Sequence, residues 1–208
     1  MAKPYRLTAD SGLDTFCHAM EAYVSRKATP FTDTLALAAA QATVQHLPLA
    51  CAEPQNRSAR EGMMLAACQA GIAFSNASVT LIHGMSRPLG ARYHVAHGTS
   101  NAILLPEVTR FSIGGAVDRY ADISRACGFA STAETSDAAA CVALVDGLRT
   151  LNSSLGVPTL SELGVDKHDL VAHADRMAEQ ALASGSPANN PLIPTESEIV
   201  GLYRQVYA

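Results

Sequence analysis

Two alanine-rich stretches, residues 32–52 and 57–77, constrain the chain more than any other feature. Both are rich in good helix formers, and neither shows the period-two alternation that a half-buried strand needs. No convincing alternating run longer than a few residues occurs anywhere in the 208 residues, and there is no repeat or low-complexity tract. Helices are therefore expected at 11–24, 32–52 (ending near Pro48 to Pro54) and 57–77. A further one should run from His97 to about Phe111, with Pro106 inside it or kinking it, because Gly98 and Thr99 suit a tight entry. Others are expected at 116–127, 134–154, 166–183 and 195–207, with Gly128, Gly156 and Gly164 as stops. Gly62 and Gly71, flanking Ala66, Ala67 and Ala70, suit close helix packing. Residues 183–191 (ASGSPANNP) read as a loop on composition. The fold class is all-α, a multi-helix bundle, with residues 1–208 as a single helical domain.

Composition narrows the function classes. At 48% apolar and 16% charged, the chain can bury a sizeable core. A net charge of −4 makes no electrostatic case for nucleic acid or an anionic membrane, so neither is expected as a partner. No apolar run is read as approaching bilayer length, and residues 1–10 lack a signal-peptide core. The five cysteines (Cys17, Cys51, Cys68, Cys127 and Cys141) are odd in number and scattered, which fits reduced, buried thiols and a cytoplasmic location.

Chemistry concentrates in two places. Between Ser78 and Pro106 lie three of the seven histidines, His83, His94 and His97, and Gly follows both His83 and His97 directly. Imidazole is the commonest metal ligand, and glycine lets a backbone or ligand approach closely. Taken singly, each histidine is equally readable as a surface or hydrogen-bonded core residue. The second place is the Ser11–Val24 helix, for which Ser11 is a good N-cap and Leu13, Phe16, Cys17, Met20 and Val24 recur at helical spacing. Asp14 and His18 are four apart, so they leave one face together, as two ligands of one ion must. DxxxH alone also reads as a helix-dipole acid followed by an incidental histidine.

Together the clusters are more specific. Asp14-x-x-x-His18, then HGM-x-x-P-L-G-A from His83, then HG-x-x-N-A-I-L-L-P from His97, resembles the iron-containing (group III) alcohol dehydrogenases. HAMEAYVS, PFTDTLALAAA and the closing EIVGLYRQVYA carry the resemblance across essentially the whole chain. What it covers in that family is the C-terminal, all-helical, metal-binding domain. The resemblance implies Asp14, His18, His83 and His97 as ligands of a divalent metal, Fe2+ first and Zn2+ second. It favours the alcohol dehydrogenases proper over the zinc glycerol dehydrogenases, dehydroquinate synthases and maleylacetate reductases that share the fold. It also implies that NAD or NADP is bound mainly by an N-terminal nucleotide-binding domain. This chain has no GxGxxG after a strand and no Walker A sequence, so no cofactor-binding residue is expected in it, and alone it is expected to be inactive.

Many relatives carry a histidine four positions after the His83 equivalent, where this chain has Arg87. Arg87 stays charged and cannot relay protons, so it reads either as a contact to an anionic group on the substrate or as an interdomain or surface ion pair. Pro88 pushes Arg87 toward extended geometry, which counts against a helical placement on the face of His83. His94 is read as a possible substrate contact or a solvent-facing residue. Glu21 could accept from a ligand imidazole or pair with a basic neighbour such as Arg26, and Glu107 is set apart from the site.

The function these readings support is metal- and NAD(P)-dependent alcohol oxidation or aldehyde reduction. The expected partners are a small alcohol or aldehyde, the nucleotide-binding domain, and further copies in a homo-oligomer. The second class is a non-catalytic metal-binding helical module, or a remnant without turnover.

Overall fold

In the computed structural model, which describes residues 3–131 and 135–207, the expected helical class is realised: helices connected by turns, with no strand among the described residues. They are α1 (Tyr5–Val24), α2 (Pro30–Ala52), α3 (Arg57–Ala77), α4 (Leu81–Tyr93), α5 (His97–Ser112), α6 (Val117–Ala126), α7 (Asp137–Ser154), α8 (Lys167–Ala183) and α9 (Glu196–Gln205). Short 3-10 turns occur at Ile113–Gly115 and Pro187–Asn189.

Local chemistry sets most of these boundaries. Pro30 opens α2 behind a capping box in which Thr29 and Thr32 satisfy each other's backbone N–H. Asn56, Ser136 and Asp166 cap α3, α7 and α8 through their side chains, and Thr195 with Glu198 forms a second box at α9. Gly128, Gly156 and Gly164 all have positive φ and follow helix or turn ends, as the stops required. α1, by contrast, begins at Tyr5 behind Pro4 and not at Ser11, which lies inside it. Pro4 supplies the fixed φ and the carbonyl that accepts from Thr8 N and Thr8 Oγ1, so the helix nucleates two turns earlier than its best capping residue suggests.

α1 is the central strut. It packs against α2, α3 and α5, while α4 lies between α5 and α8, and α7 joins α5 to α6. Phe16, Met20, Leu81, Met85, Leu89, Leu104, Tyr120 and Tyr203 are fully buried around it. α2 presents Ala36, Ala39, Ala40 and Leu47 to this core. It is also long and apolar enough, by length and composition, to cross a bilayer, contrary to the expectation that no such run exists. Alanine is both mildly apolar and the strongest helix former, so a packed core helix passes the same test as a span.

Two glycines allow close approaches to the site-bearing helices. A Cβ on Gly98, at the start of α5, would stand 2.4 Å from the carbonyl oxygen of Asp10 in α1. A Cβ on Gly84 would stand 2.8 Å from Pro187 Cγ, so the 183–191 segment is seated on α4. Gly62 similarly meets His46, but Gly71 faces open space, so only one of that pair serves packing.

α4 is one continuous helix although the sequence there carries a proline and two glycines. It passes straight through Pro88 despite the lost backbone hydrogen bond. The ring falls where its i−4 residue is Gly84, and the next carbonyl, Met85 O, accepts from the buried Tyr203 hydroxyl at 2.7 Å. Arg87 is therefore helical and one turn beyond His83, and the expected push toward extended geometry is overridden by packing.

Candidate metal centre

Four side chains from three helices converge. Asp14 and His18 leave α1 one turn apart, His83 sits in the first turn of α4, and His97 is the first residue of α5. Each offers one donor atom, and these four atoms lie within 4.8 Å of one another. Asp14 is the hub: His83 Nε2 is 3.5 Å and His97 Nε2 3.6 Å from its Oδ1, and His18 Nε2 is 3.5 Å from its Oδ2. The cluster is graded in depth, since the His83 side chain is 3% exposed and that of His97 is 50% exposed. Its open side is therefore the His97 side.

The imidazoles are held by groups behind them. The His18 ring stacks between Phe74 of α3, at 4.1 Å between centroids, and the His83 ring, at 4.3 Å. Glu21, two turns after Asp14 on α1 and 1% exposed, accepts from His83 Nδ1 at 2.5 Å through Oε2. Its other oxygen accepts from Thr80 Oγ1 at 2.8 Å and Ile82 N at 2.7 Å. α4 has no capping side chain of its own, so this buried carboxylate caps it from α1 and meets the positive end of its dipole. With the Nδ1 proton given to Glu21, the Nε2 lone pair of His83 is left for the cluster. Of the two readings of Glu21, the structure thus supports the acceptor from an imidazole, not a partner for Arg26.

The charges follow from this packing. Burial opposes ionisation of Asp14, but the adjacent His18 and His83 imidazoles hold its carboxyl well below the usual range. Burial likewise opposes a charged Glu21, and His83 outweighs it, so Glu21 is held down. His83, against its own burial, is raised to about 9 by Glu21 and Asp14. Burial lowers His97 despite Asp14, with His83, His18 and Arg87 adding to the effect.

Asn101, fully buried one turn after His97, was missed in the sequence. Its Nδ2 lies 2.6 Å from Asp14 Oδ1, 3.1 Å from His83 Nε2 and 3.3 Å from His97 Nε2. The spacing that paired Asp14 with His18 would have paired His97 with Asn101. An amide nitrogen has two hydrogens and cannot serve three acceptors, while Asn101 Oδ1 and His18 Nδ1 are buried without a partner. A carboxylate with three imidazoles, so oversupplied with lone pairs, is the donor set that suits a divalent cation such as Zn2+ or Fe2+.

The remaining candidates fall outside this cluster. Arg87 is exposed and donates to Ser186 Oγ at 2.9 Å, with no carboxylate within ion-pair distance among the described residues. That removes an ion pair within those residues from its two readings. His94 ends α4 in the left-handed conformation, φ 55°, exposed and outside the converging group. Glu107 pairs with Arg110 and Arg149, away from the cluster. The cysteines are free; Cys17, Cys51 and Cys141 are buried, but Cys68 is exposed, contrary to expectation. Its position on the outer face of α3, away from α1 and α2, accounts for this.

The family described as "Fe-containing alcohol dehydrogenase family, C-terminal" matches residues 8–207. A 1,3-propanediol dehydrogenase of Klebsiella pneumoniae is 37% identical over 209 residues, covering 100% of this chain and 52% of that protein. A 1-propanol dehydrogenase of Salmonella typhimurium is 38% identical, covering 95% of this chain and 54% of that protein. A crystal structure of a 1,3-propanediol oxidoreductase superposes with a TM-score of 0.93 at 36% identity, over 99% of this chain and 53% of the other. The chain spans about half the length of the curated relatives it matches.

Proposed function

The chain belongs to the iron-containing alcohol dehydrogenase family through its C-terminal domain, and on that premise we propose that it is the metal-holding half of an NAD(P)-dependent alcohol dehydrogenase or aldehyde reductase. Residues 1–208 act as one domain, and Asp14, His18, His83 and His97 are the ligands. The observation that carries this reading is the convergence of those four donors, with Glu21 behind His83.

A divalent ion held there supplies Lewis acidity toward a hydroxyl or carbonyl oxygen, and a nicotinamide on a preceding domain supplies or accepts hydride. This chain's residues provide the rest. Asp14, ionised at any working pH, offsets part of the ion's charge and aligns three imidazoles around itself. Glu21 and Phe74 keep His83 and His18 in one orientation, so no ordering cost falls on the moment of binding. His97, at the open side, borders the space through which a small alcohol or aldehyde reaches the cluster. Asn101 keeps Asp14 Oδ1 turned toward the histidines. The ion is Fe2+ or Zn2+, the nucleotide NAD or NADP, the assembly a homo-oligomer and the compartment the cytoplasm.

Elemental analysis of anaerobically purified protein, with calorimetric titration of the metal-free chain by Fe2+ or Zn2+, tests the reading. One equivalent should bind, and His18→Ala should weaken it at least about tenfold, the lower end of what losing even a supporting group costs. Equal affinity in wild type and mutant would remove His18 from the site.

A further inference from the structure

The geometry points to an anion subsite at Arg87 and Ser186, beside the metal cluster, that takes the negatively charged end group of a small hydroxy or oxo compound whose oxygen faces the cluster. The inference rests on the metal-centre reading above and adds a substrate class to it.

Arg87 follows His83 by one turn of an uninterrupted helix, so the two side chains leave the same face with Cβ atoms about 6 Å apart. That places the guanidinium on the cluster's own side of α4. The head is exposed and held: Nη1 donates to Ser186 Oγ at 2.9 Å, while the remaining N–H donors have no carboxylate within ion-pair distance among the described residues. Most other arginines of the chain, including Arg92 on the same helix, are spent on carboxylates.

The tether is itself anchored. Ser186 is 5% exposed, its carbonyl accepts from Asn189 N at 3.0 Å, and the next residue, Pro187, is seated on Gly84. Asn189 and Asn190 then tie the segment to Ser78 and Ser112 through their side chains. A planar fork of N–H donors, pre-oriented by a buried hydroxyl and lacking an acid to pair with among the described residues, suits a carboxylate or sulfonate.

The test uses the 208-residue chain loaded with Co2+, whose visible bands report metal binding before any probe is added. The probes are 3-hydroxypropane-1-sulfonate, chosen because sulfonate is a poor metal ligand, and 1-propanol. Paramagnetic relaxation of their methylene protons gives affinity and orientation. The sulfonate should bind roughly tenfold to a hundredfold tighter than 1-propanol, the range expected for one charge-assisted pair, with its hydroxyl-end protons relaxed most. Arg87→Gln should abolish the preference while leaving the cobalt bands and the 1-propanol affinity unchanged, and Arg87→Lys should restore part of it. Arg176→Gln, which removes a charge from the outer face of α8, should change nothing. A preference that survives Arg87→Gln, or is lost equally in Arg176→Gln, overturns the subsite. Absence of the cobalt bands would instead overturn the metal-centre reading. Sulfonate line broadening on the metal-free chain, expected in wild type and lost in Arg87→Gln, decides the subsite separately.

Discussion

Glu21 joins two tasks in one carboxylate: it caps α4 and holds the Nδ1 proton of His83. In the metal-free chain both partners link stability to pH. His83, raised from 6.5 to about 9, contributes stability that is complete below 6.5 and lost as pH rises toward 9. Glu21, lowered from 4.5, contributes stability present above 4.5 and lost as pH falls through its lowered value. Both contributions are complete between 4.5 and 6.5. Glu21→Gln should cost about 3 kcal/mol there, the lower end for breaking a buried pair. At roughly 2–4 °C per kcal/mol for a chain of this size, the Tm gap is about 6–12 °C. Calorimetry should show the gap narrowing toward about pH 9; a gap independent of pH would mean that the His83 charge plays no part. At this scale the sequence was legible where partners are one helical turn apart, as with Asp14 and His18. Glu21 stayed ambiguous because its partner lies on another helix, and only packing decides between His83 and Arg26.

α5 reaches α1 only because Gly98 has no side chain. Gly98→Ala would drive a methyl into the Asp10 carbonyl, a backbone atom that cannot swing away, so α5 must shift and carry His97 and Asn101 with it. The expected loss is about 1–3 kcal/mol, in the range for overpacking, together with weaker metal binding. Gly71→Ala on α3 meets nothing within 4 Å and should instead raise stability by about 0.5–1 kcal/mol, the helical gain of alanine over glycine. Denaturant titration of the two variants measures both; destabilisation by Gly71→Ala, or tolerance of Gly98→Ala with unchanged metal affinity, would contradict this account of the packing. Helices with regular apolar spacing and capping residues were readable before the structure. α4 was not, because its proline, its two glycines and its cap from α1 hide a helix that tertiary contacts impose. α1 starts earlier than its capping residue implies for a related reason, since Pro4 outranks Ser11 as a nucleus.

Taken whole, the helices build a core around α1 and leave the Asp14 cluster open on the His97 side. No glycine-rich phosphate cradle behind a strand occurs among the described residues, so the 208-residue chain by itself should show no alcohol-dependent reduction of NAD or NADP. Robust turnover by the purified chain would show that its nucleotide site has been misplaced. The all-α class was legible because alanine-rich helical runs exclude the alternatives. The meeting of three helices at one carboxylate was not, because spacing within a helix says nothing about which helices touch.

X-ray absorption on the zinc-loaded chain tests Asp14, His18, His83 and His97 as the four ligands. The expected result is a shell of nitrogen and oxygen at about 2.0–2.2 Å, with the outer-shell scattering of three imidazoles and no sulfur. A sulfur contribution at about 2.3 Å would draw in Cys17, one residue before His18, and fewer than three imidazoles would break the set; either result contradicts the site described here.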